Sequence, residues 1–311
     1  MFAAASPSRL RQPMRETELI RKIRDIANQR GHPRWLRVGV GDDCAVMTPR
    51  RNRDLVFTSD YSIEGRHFTL TTHSAADIGH KALARSLSDL AAMGADPLFC
   101  LVSLAISANQ NEAWIESLYK GLTRLGARFG IVLAGGDLAK GERITVDVMC
   151  CGDVPRGRAL LRSGSQPGDD IFVTGELGAA AHGLVTKRGE SWNRQKRPEP
   201  RVEVGRKLHR LAHAAIDLSD GLSLDLRRLC EESGVGARLG GELPIAKGAT
   251  LEQALHGGED YELLFTAAKR SRMPPQIAGI AVTRIGEVTN EVGKVSFKGR
   301  LLEPLGFDHF R

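Results

Sequence analysis

The chain has 311 residues, 41% of them apolar, and carries 44 Lys and Arg against 37 Asp and Glu, a formal net charge of +7. This length predicts about two domains of roughly 150 residues with ordinary cores. The positive charge alone would permit nucleic-acid binding, but Lys and Arg are dispersed and aromatics are only 5%, so we expect no nucleic-acid partner. The longest apolar run, residues 97–106, is about half of a membrane span, so no membrane insertion is expected.

Cysteine usage and the N-terminus indicate the compartment. The five cysteines include one adjacent pair and form no CxxC motif, which predicts reduced thiols in the cytoplasm rather than a disulfide framework. Residues 1–15 hold three arginines and no acid, as an organelle transit peptide would. We interpret them instead as a disordered N-terminal extension.

Helices and strands are predicted to alternate along the first half. Apolar residues at helical spacing predict a helix over residues 16–29, and residues 55–57 form a short buried strand that should end at Thr58-Ser59-Asp60. Ser74 followed by Asp77 predicts a capping box and a helix to about residue 93. On that helix Asp89 follows Arg85 by four residues, a spacing that fits a surface ion pair as well as a functional carboxylate.

The alternation continues to the C-terminal half, so the fold class is α/β (α+β). A helix over residues 112–128 precedes a strand at 131–134, which should end at a turn holding Gly136 and Asp137. Further strands are expected at residues 143–151, 170–174 and 214–217, with helices reaching residue 188 and spanning residues 222–233. The N-terminus of the last helix could receive an anion.

Six acidic motifs lie beside glycine or other small residues. Carboxylates that converge repel one another unless cations neutralise them, and oxygen ligands of this kind suit Mg²⁺ together with a phosphorylated substrate. The motifs are Gly41-Asp42-Asp43, Ser59-Asp60, Ser88-Asp89-Leu90, Gly135-Gly136-Asp137, Asp217-Leu218-Ser219-Asp220-Gly221 and Gly257-Gly258-Glu259-Asp260.

Common catalytic motifs are absent from the sequence. It contains no Walker loop, no GxGxxG, no HExxH and no GxSxG, so any use of ATP lies outside the common nucleotide-binding folds. The nine histidines are scattered. His67 is of interest because it follows Asp60 by one strand length, although an exposed strand residue is the alternative.

The ordered set of motifs resembles the thiamine-monophosphate kinase family, within the superfamily of aminoimidazole ribonucleotide synthetase and selenophosphate synthetase. Besides the acidic motifs, the resemblance includes residues 65–68, 158–164 and the end of the chain at 307–310. It implies an N-terminal domain over residues 16–155, which binds ATP and Mg²⁺ and forms a homodimer through its sheet. A C-terminal domain over residues 156–311 would close over nucleotide and substrate.

The resemblance also implies an activity, the ATP-dependent phosphorylation of thiamine monophosphate to thiamine diphosphate. Arg162 would stabilise the polyphosphate, and no residue would act as a general base. The implied ATP contacts are Gly136, Asp137, Arg162, Ser219 and Tyr119. The implied contacts of thiamine monophosphate are His67, Glu259 and Phe307. The implied Mg²⁺ ligands are Asp43, Thr58, Ser59, Asp60, Asp89, Asp137, Asp217 and Asp220.

Two other functions fit parts of the pattern. One is a different ATP-using enzyme of the superfamily, either a ring-closing ligase or a selenophosphate synthetase; the latter should have a reactive cysteine near the N-terminus, whereas the first cysteine here is Cys44. The other is a non-catalytic nucleotide-binding homologue, which should have lost the acidic set. Ser59 also departs from the family pattern, which usually has Thr there.

Overall fold

The structure, a computed structural model, describes residues 16–29, 31, 33–107, 109–269 and 271–307. The expected N-terminal extension at residues 1–15 lies outside this range. The helices of the N-terminal half are α1 (Glu16–Asn28), α2 (Ala75–Ala92) and α3 (Glu112–Phe129). Its strands are β1 (Leu36–Val38), β2 (Val46–Met47), β3 (Arg53–Ile63), β4 (Asp96–Ile106), β5 (Val132–Lys140) and β6 (Thr145–Pro155).

A four-stranded sheet in the order β3-β6-β4-β5 organises the N-terminal half, with only the β4–β5 pair parallel. Helices α2 and α3 pack on each other and on one face of this sheet, where their apolar residues form the main core. The two helices approach closely because Gly79 of α2 faces the backbone of α3 and Gly121 of α3 faces the backbone of α2. A Cβ on Gly79 would lie 2.0 Å from the Leu118 carbonyl oxygen.

A larger sheet of eight strands, counted over the described residues, forms the C-terminal half in the order β14-β13-β9-β12-β7-β10-β8, with β11 paired to β12. Its helices are α4 (Ala179–Thr186), α5 (Gly189–Lys196), α6 (Val202–Leu208), α7 (Leu222–Ser233) and α8 (Leu251–His256). Its strands are β7 (Asp170–Thr174), β8 (Ala214–Asp217), β9 (Gly236–Leu239), β10 (Leu263–Ala267), β11 (Gln276–Ile277), β12 (Ile280–Thr289), β13 (Val295–Phe297) and β14 (Arg300–Leu301).

Helix α2 connects the two halves. Its apolar face packs against β3 and β6 on one side and against α6 and β8 on the other. Leu87 and Leu90 therefore belong to the same buried cluster as Val204 and Phe265 of the C-terminal half. A polar residue on α2 can consequently face carboxylates from either half.

The mixed α/β architecture expected from the sequence is confirmed, and so are the capping box of Ser74 and Asp77 and the strand at residues 170–174. Two strands are longer than expected. Thr58 and Asp60 lie inside β3, because its eleven residues pair continuously with β6, rather than at a strand end. Gly136 and Asp137 lie inside β5, where they pair with β4, rather than in a turn. Among the described residues no helix has the length and apolarity to cross a membrane.

Candidate active site

A cavity of about 330 Å³ lies between helix α2 and the C-terminal half of the chain. We call it the acidic pocket, because carboxylates from β3, α2 and β8 and from the loops after β8 and α8 line it. Its charged and polar lining residues are Asp60, Arg66, His67, Arg85, Asp89, Asp217, Ser219, Asp220, Glu259 and Tyr261, and the half-exposed Phe307 completes it.

Strand β3 and helix α2 place the first carboxylates. Alternate residues of a strand point to opposite faces, so Thr58 and Asp60 share the face that α2 covers. The Thr58 hydroxyl donates a hydrogen bond to the Asp89 carboxylate. The Ser86 hydroxyl, also on α2, donates to Asp60 Oδ2 at 3.0 Å. Both aspartates are thus held by hydroxyl groups on the neighbouring element.

Asp89 and Asp217 face each other across the boundary between the two halves. Burial raises the pKa of both carboxyl groups; the charge of Asp217 adds to the rise at Asp89, and Asp60 adds to it at both. A hydrogen bond from Ser88 Oγ to Asp217 Oδ2, 2.7 Å long, partly offsets the rise at Asp217. These carboxylates repel one another, and a bound cation would relieve the repulsion.

The donor set suits Mg²⁺. In the part of the chain that the structure describes, no three His, Cys, Asp or Glu side chains are grouped so as to hold one metal ion by themselves. Mg²⁺ does not need such a cage, because it usually takes one or two carboxylates and fills its octahedron with water and substrate phosphate oxygens. Asp60, Asp89 and Asp217, with raised pKa values at the last two, fit that mode of binding.

Asp220 is fixed by the loop between β8 and α7. Its carboxylate accepts from Arg228 Nη1 at 2.5 Å, and its backbone amide donates to Asp225 Oδ2 at 3.0 Å. The amide of Gly221 donates to the same oxygen. The amides of Asp220 and Gly221, just before α7, are therefore already bonded to Asp225.

The Glu259 carboxylate forms an ion pair with a buried cation, Lys81. The Lys81 side chain is only 1% exposed, and its ammonium donates to Glu259 Oε2 at 2.9 Å and to the His67 carbonyl at 3.0 Å. Gln195 Nε2 donates to the same carboxylate oxygen at 3.1 Å. Burial acts to raise the pKa of Glu259, but Lys81 and then Arg85 outweigh it, so the net shift is downward and Glu259 stays ionised.

An imidazole and two further side chains complete the pocket. His67 Nδ1 accepts from the Ile63 amide at 3.0 Å, so the neutral ring carries its proton on Nε2. The Arg66 guanidinium lies 5.7 Å from the centre of the Phe307 ring. The backbone amide of Phe307 donates to the Asp220 carbonyl at 2.9 Å, which ties the end of the described chain to the pocket.

A second cavity of about 850 Å³ lies along the free edge of β5, and we call it the edge groove. Asp43, Tyr119, Gly136 and Asp137 line it together with residues of α1. Gly136 adopts φ +152°, and a Cβ there would lie 1.9 Å from the Val102 carbonyl oxygen. Only glycine therefore fits this position of the edge strand.

Thr58, Ser59 and Arg162 line neither cavity, although the Thr58 hydroxyl is bonded to Asp89 of the acidic pocket. Ser59 lies on the face of β3 opposite to Thr58 and Asp60, where its hydroxyl donates to Asp147 Oδ1 at 2.7 Å. Arg162 acts at longer range, since its charge lowers the pKa of Asp89 and Asp217 against the larger effect of burial. The predicted residues thus divide between the acidic pocket, the edge groove and these three positions.

Lys81, Arg85, Ser86 and Ser88 belong to the site and were not singled out from the sequence as functional residues. The helical spacing of Lys81, Arg85 and Asp89 could have revealed a polar stripe on an otherwise apolar helix. Arg85 also rules out the surface ion pair considered for Asp89, because its side chain is only 13% exposed and its ion pairs are with Asp60 and Glu259.

Comparison with known proteins identifies relatives of this chain. The family model for AIR synthase related protein, N-terminal domain, matches residues 41–154. The thiamine-monophosphate kinase of Escherichia coli (strain K12) is 38% identical over 301 residues, which cover 88% of this chain and 92% of that protein.

Solved structures agree with the sequence match. The thiamine-monophosphate kinase of Stenotrophomonas maltophilia K279a superposes with a TM-score of 0.83 at 38% identity, over 92% of this chain and 97% of that one. The structure of AaThiL complexed with AMPPCP and TMP superposes with a TM-score of 0.77 at 31% identity, over 85% and 89% of the two chains.

Proposed function

The chain belongs to the thiamine-monophosphate kinase family, and we propose that it transfers the γ-phosphoryl group of ATP directly to the phosphate of thiamine monophosphate, with several Mg²⁺ ions. The observation that carries the proposal is the acidic pocket, where carboxylates from both halves converge beside Glu259 and an aromatic ring. A related structure binds AMPPCP and TMP together. An enzyme that transfers a phosphoryl group from one phosphate to another must overcome their Coulomb repulsion, and cations held between them reduce it.

Carboxylates of the chain have the task of holding those cations. Asp60, Asp89, Asp217 and Asp220 would hold Mg²⁺ in the acidic pocket, and Thr58 would assist through its hydroxyl. We assign Asp43 and Asp137 to the same role in the edge groove, and Ser59 as a further ligand. Bound Mg²⁺ would neutralise phosphate oxygens and so lower the Coulomb repulsion between donor and acceptor.

The ATP contacts are assigned to residues of both cavities. Gly136, Asp137 and Tyr119 line the edge groove, and Ser219 lines the acidic pocket. Arg162 would supply positive charge to the polyphosphate, which agrees with its effect on the pKa values of Asp89 and Asp217.

The thiamine end has a complementary environment. A thiazolium ring is cationic, and Glu259 is an ionised carboxylate supported by Lys81 and Gln195. Phe307 offers an aromatic face of the kind that attracts cations. His67, with its proton on Nε2, can donate a hydrogen bond to the substrate.

No residue of the pocket needs to act as a general base. The acceptor oxygen belongs to a phosphate that is already ionised at neutral pH, so attack requires no proton removal. The chain's contribution is to hold donor and acceptor in line and to stabilise the charge that develops. Asp89 and Asp217 are accordingly assigned to cation binding, although burial raises their pKa values into a range typical of acid–base groups.

We further propose two domains, residues 16–155 and 156–311, and a homodimer formed by the N-terminal sheet. On β3 the rings of Phe57 and Tyr61 are 59% and 60% exposed on the face turned away from α2. An exposed aromatic pair on a sheet face is typical of an association surface. Free thiols at all five cysteines support a reducing, cytoplasmic location.

The function is tested by measuring ADP release from ATP with three acceptors, namely thiamine monophosphate, thiamine and selenide, with and without Mg²⁺. We expect Mg²⁺-dependent release with thiamine monophosphate only. Selenide-dependent consumption of ATP would indicate the selenophosphate synthetase chemistry of the superfamily. Absence of any product with thiamine monophosphate would overturn the proposal.

The metal assignment is tested by Asp60→Asn and Asp220→Asn, which remove one ligand charge each. We expect kcat at limiting Mg²⁺ to fall by about two orders of magnitude or more, with an unchanged fold by circular dichroism. Asp54→Asn is the matched control, because Asp54 lies on the same strand but is exposed and bonded to the Gly157 amide. Wild-type turnover in either test variant would remove that residue from the ligand set.

A further inference from the structure

Arg85 keeps hydrogen-bonding capacity that the protein does not use. It projects from the middle of α2 into the acidic pocket. Its guanidinium lies 3.6 Å from Asp60 Oδ1 and 3.8 Å from Glu259 Oε1, beyond the usual length of a hydrogen bond in both cases. Within the described part of the chain its buried Nε has no hydrogen-bond partner. A guanidinium carries five N–H donors, so Arg85 can donate to a ligand without giving up a hydrogen bond of the fold.

Lys81, one helical turn earlier, serves a different purpose. Its ammonium is almost fully buried, does not line the pocket and is bonded to Glu259 and to the His67 carbonyl. Lys81 therefore pairs with Glu259 from the protein interior rather than from the cavity. Arg85 also attracts the Glu259 carboxylate, at longer range, and its guanidinium lines the cavity.

The position of Arg85 indicates which part of a substrate it meets. Asp60 lies on one side of the guanidinium and Glu259 on the other. If the proposed function holds, Glu259 marks the thiazolium end of the substrate and Asp60 marks the cations around the transferred phosphoryl group. The phosphate of the acceptor would lie between these two ends, where the Arg85 guanidinium lines the cavity.

We infer that Arg85 binds the phosphate of thiamine monophosphate and thereby selects a phosphorylated acceptor over thiamine. A guanidinium matches two phosphate oxygens at once, which gives direction as well as charge. Thiamine has no phosphate to accept from these donors, so its binding gains nothing from Arg85. Arg85 is thus a specificity-determining contact, distinct from the aspartates that hold Mg²⁺.

The test uses equilibrium binding, which does not depend on turnover. Isothermal titration calorimetry would measure the Kd of thiamine monophosphate and of thiamine for the wild-type chain and for Arg85→Met, both with Mg²⁺ and AMPPCP. We expect Arg85→Met to raise the Kd of thiamine monophosphate by about 10- to 100-fold, the effect of losing a charged hydrogen-bonded contact. The Kd of thiamine should rise by less than about twofold. Arg128→Met is the control, since Arg128 forms an exposed ion pair with Glu199 and should change neither Kd.

Thiamine binding also reports on folding of the variant. Should Arg85→Met fail to fold, Arg85→Lys carries the test, because lysine keeps the charge and loses the bidentate geometry; we expect at least about a fivefold loss for thiamine monophosphate alone. Equal losses for both ligands, or no loss for either, would overturn the role of Arg85. If the role of Arg85 is overturned but the wild-type chain still makes thiamine diphosphate, the proposed function stands without that role. A wild-type chain that makes no thiamine diphosphate would overturn both the role of Arg85 and the proposed function.

Discussion

Ser88 and Asp217, 129 positions apart in the sequence, are joined by a buried hydrogen bond of 2.7 Å between Ser88 Oγ and Asp217 Oδ2. The bond links helix α2 of the N-terminal half to strand β8 of the C-terminal half. It also fixes the orientation of a carboxylate that lines the acidic pocket. One contact therefore connects the assembly of the two halves to the geometry of the site.

Replacing Ser88 with alanine should weaken both the contact between the two halves and the binding of cations in the acidic pocket. Asp217 would lose a donor that lowers its pKa, so we expect the free energy of unfolding to fall by about 1–2 kcal/mol and half-maximal activity to require more Mg²⁺. Urea denaturation and a Mg²⁺ titration of turnover measure these effects. Ser62→Ala is the control, because the buried Ser62 hydroxyl has no partner among the described residues and its loss should cost little. Equal stability losses in the two variants would show that the Ser88 bond is unimportant.

Gly136→Ala should destabilise the edge strand. The new Cβ would meet the Val102 carbonyl at a φ that L-residues rarely adopt, so we expect a loss of more than about 2 kcal/mol in the free energy of unfolding. Gly130 is the matched control: it has φ +74° and nothing within 4 Å of its Cβ position, so alanine there costs only the backbone strain of about 1 kcal/mol. A smaller loss at position 136 than at 130, by denaturant titration, would contradict the close approach of β5 to β4.

His73 should make stability depend on pH. Burial, and then the charge of Lys81, lower its pKa to about 4, whereas in the unfolded chain it is about 6.5. As pH falls through this window the unfolded state takes up a proton and the folded state does not, so stability is lost on acidification, by about 2 kcal/mol between pH 7 and pH 5.

His73→Phe is the variant that tests this pH dependence. A phenyl ring can still pack near Trp192, whose ring centre lies 5.5 Å from that of His73, but it cannot be protonated. The difference in free energy of unfolding between pH 7 and pH 5 should shrink by about 2 kcal/mol in the variant. An unchanged difference would mean that His73 does not titrate in this window.

Phe57→Glu combined with Tyr61→Glu should separate the proposed dimer. Two charges on the exposed face of β3 would oppose burial against a second copy. Light scattering should give twice the chain mass for the wild type and the single-chain mass for the variant. Val185→Glu is the control, because Val185 is 74% exposed in the C-terminal half and should leave the mass unchanged. A monomeric wild type would contradict the dimer.

Local features of the sequence predicted much of the fold. The Ser74 capping box, helix α3 and the segment from β8 to α7 follow from residues close together in the chain. The lengths of β3 and β5 do not follow from residues close together in the chain. They are set by pairing with β6 and β4, and a β-strand with polar residues such as Asp60 at its centre gives no sequence pattern of burial.

The sequence singled out acidic residues that line one cavity of the structure, but it did not predict how they are arranged. Asp60, Asp89 and Asp217 could be named because acidic residues beside small ones are conspicuous in a basic chain. The division of the set between the acidic pocket and the edge groove depends on which face of a strand each side chain takes. Lys81 was missed because its partner Glu259 lies 178 positions away, and only the folded chain brings them together.

Transfer of label from [γ-³²P]ATP to thiamine monophosphate tests the central claim most directly. With Mg²⁺ the terminal phosphate of thiamine diphosphate should carry the label in a one-to-one ratio with ADP, because the acceptor phosphate attacks the γ-phosphoryl group itself. Release of the label only as inorganic phosphate, with no labelled thiamine diphosphate, would contradict direct phosphoryl transfer by this chain.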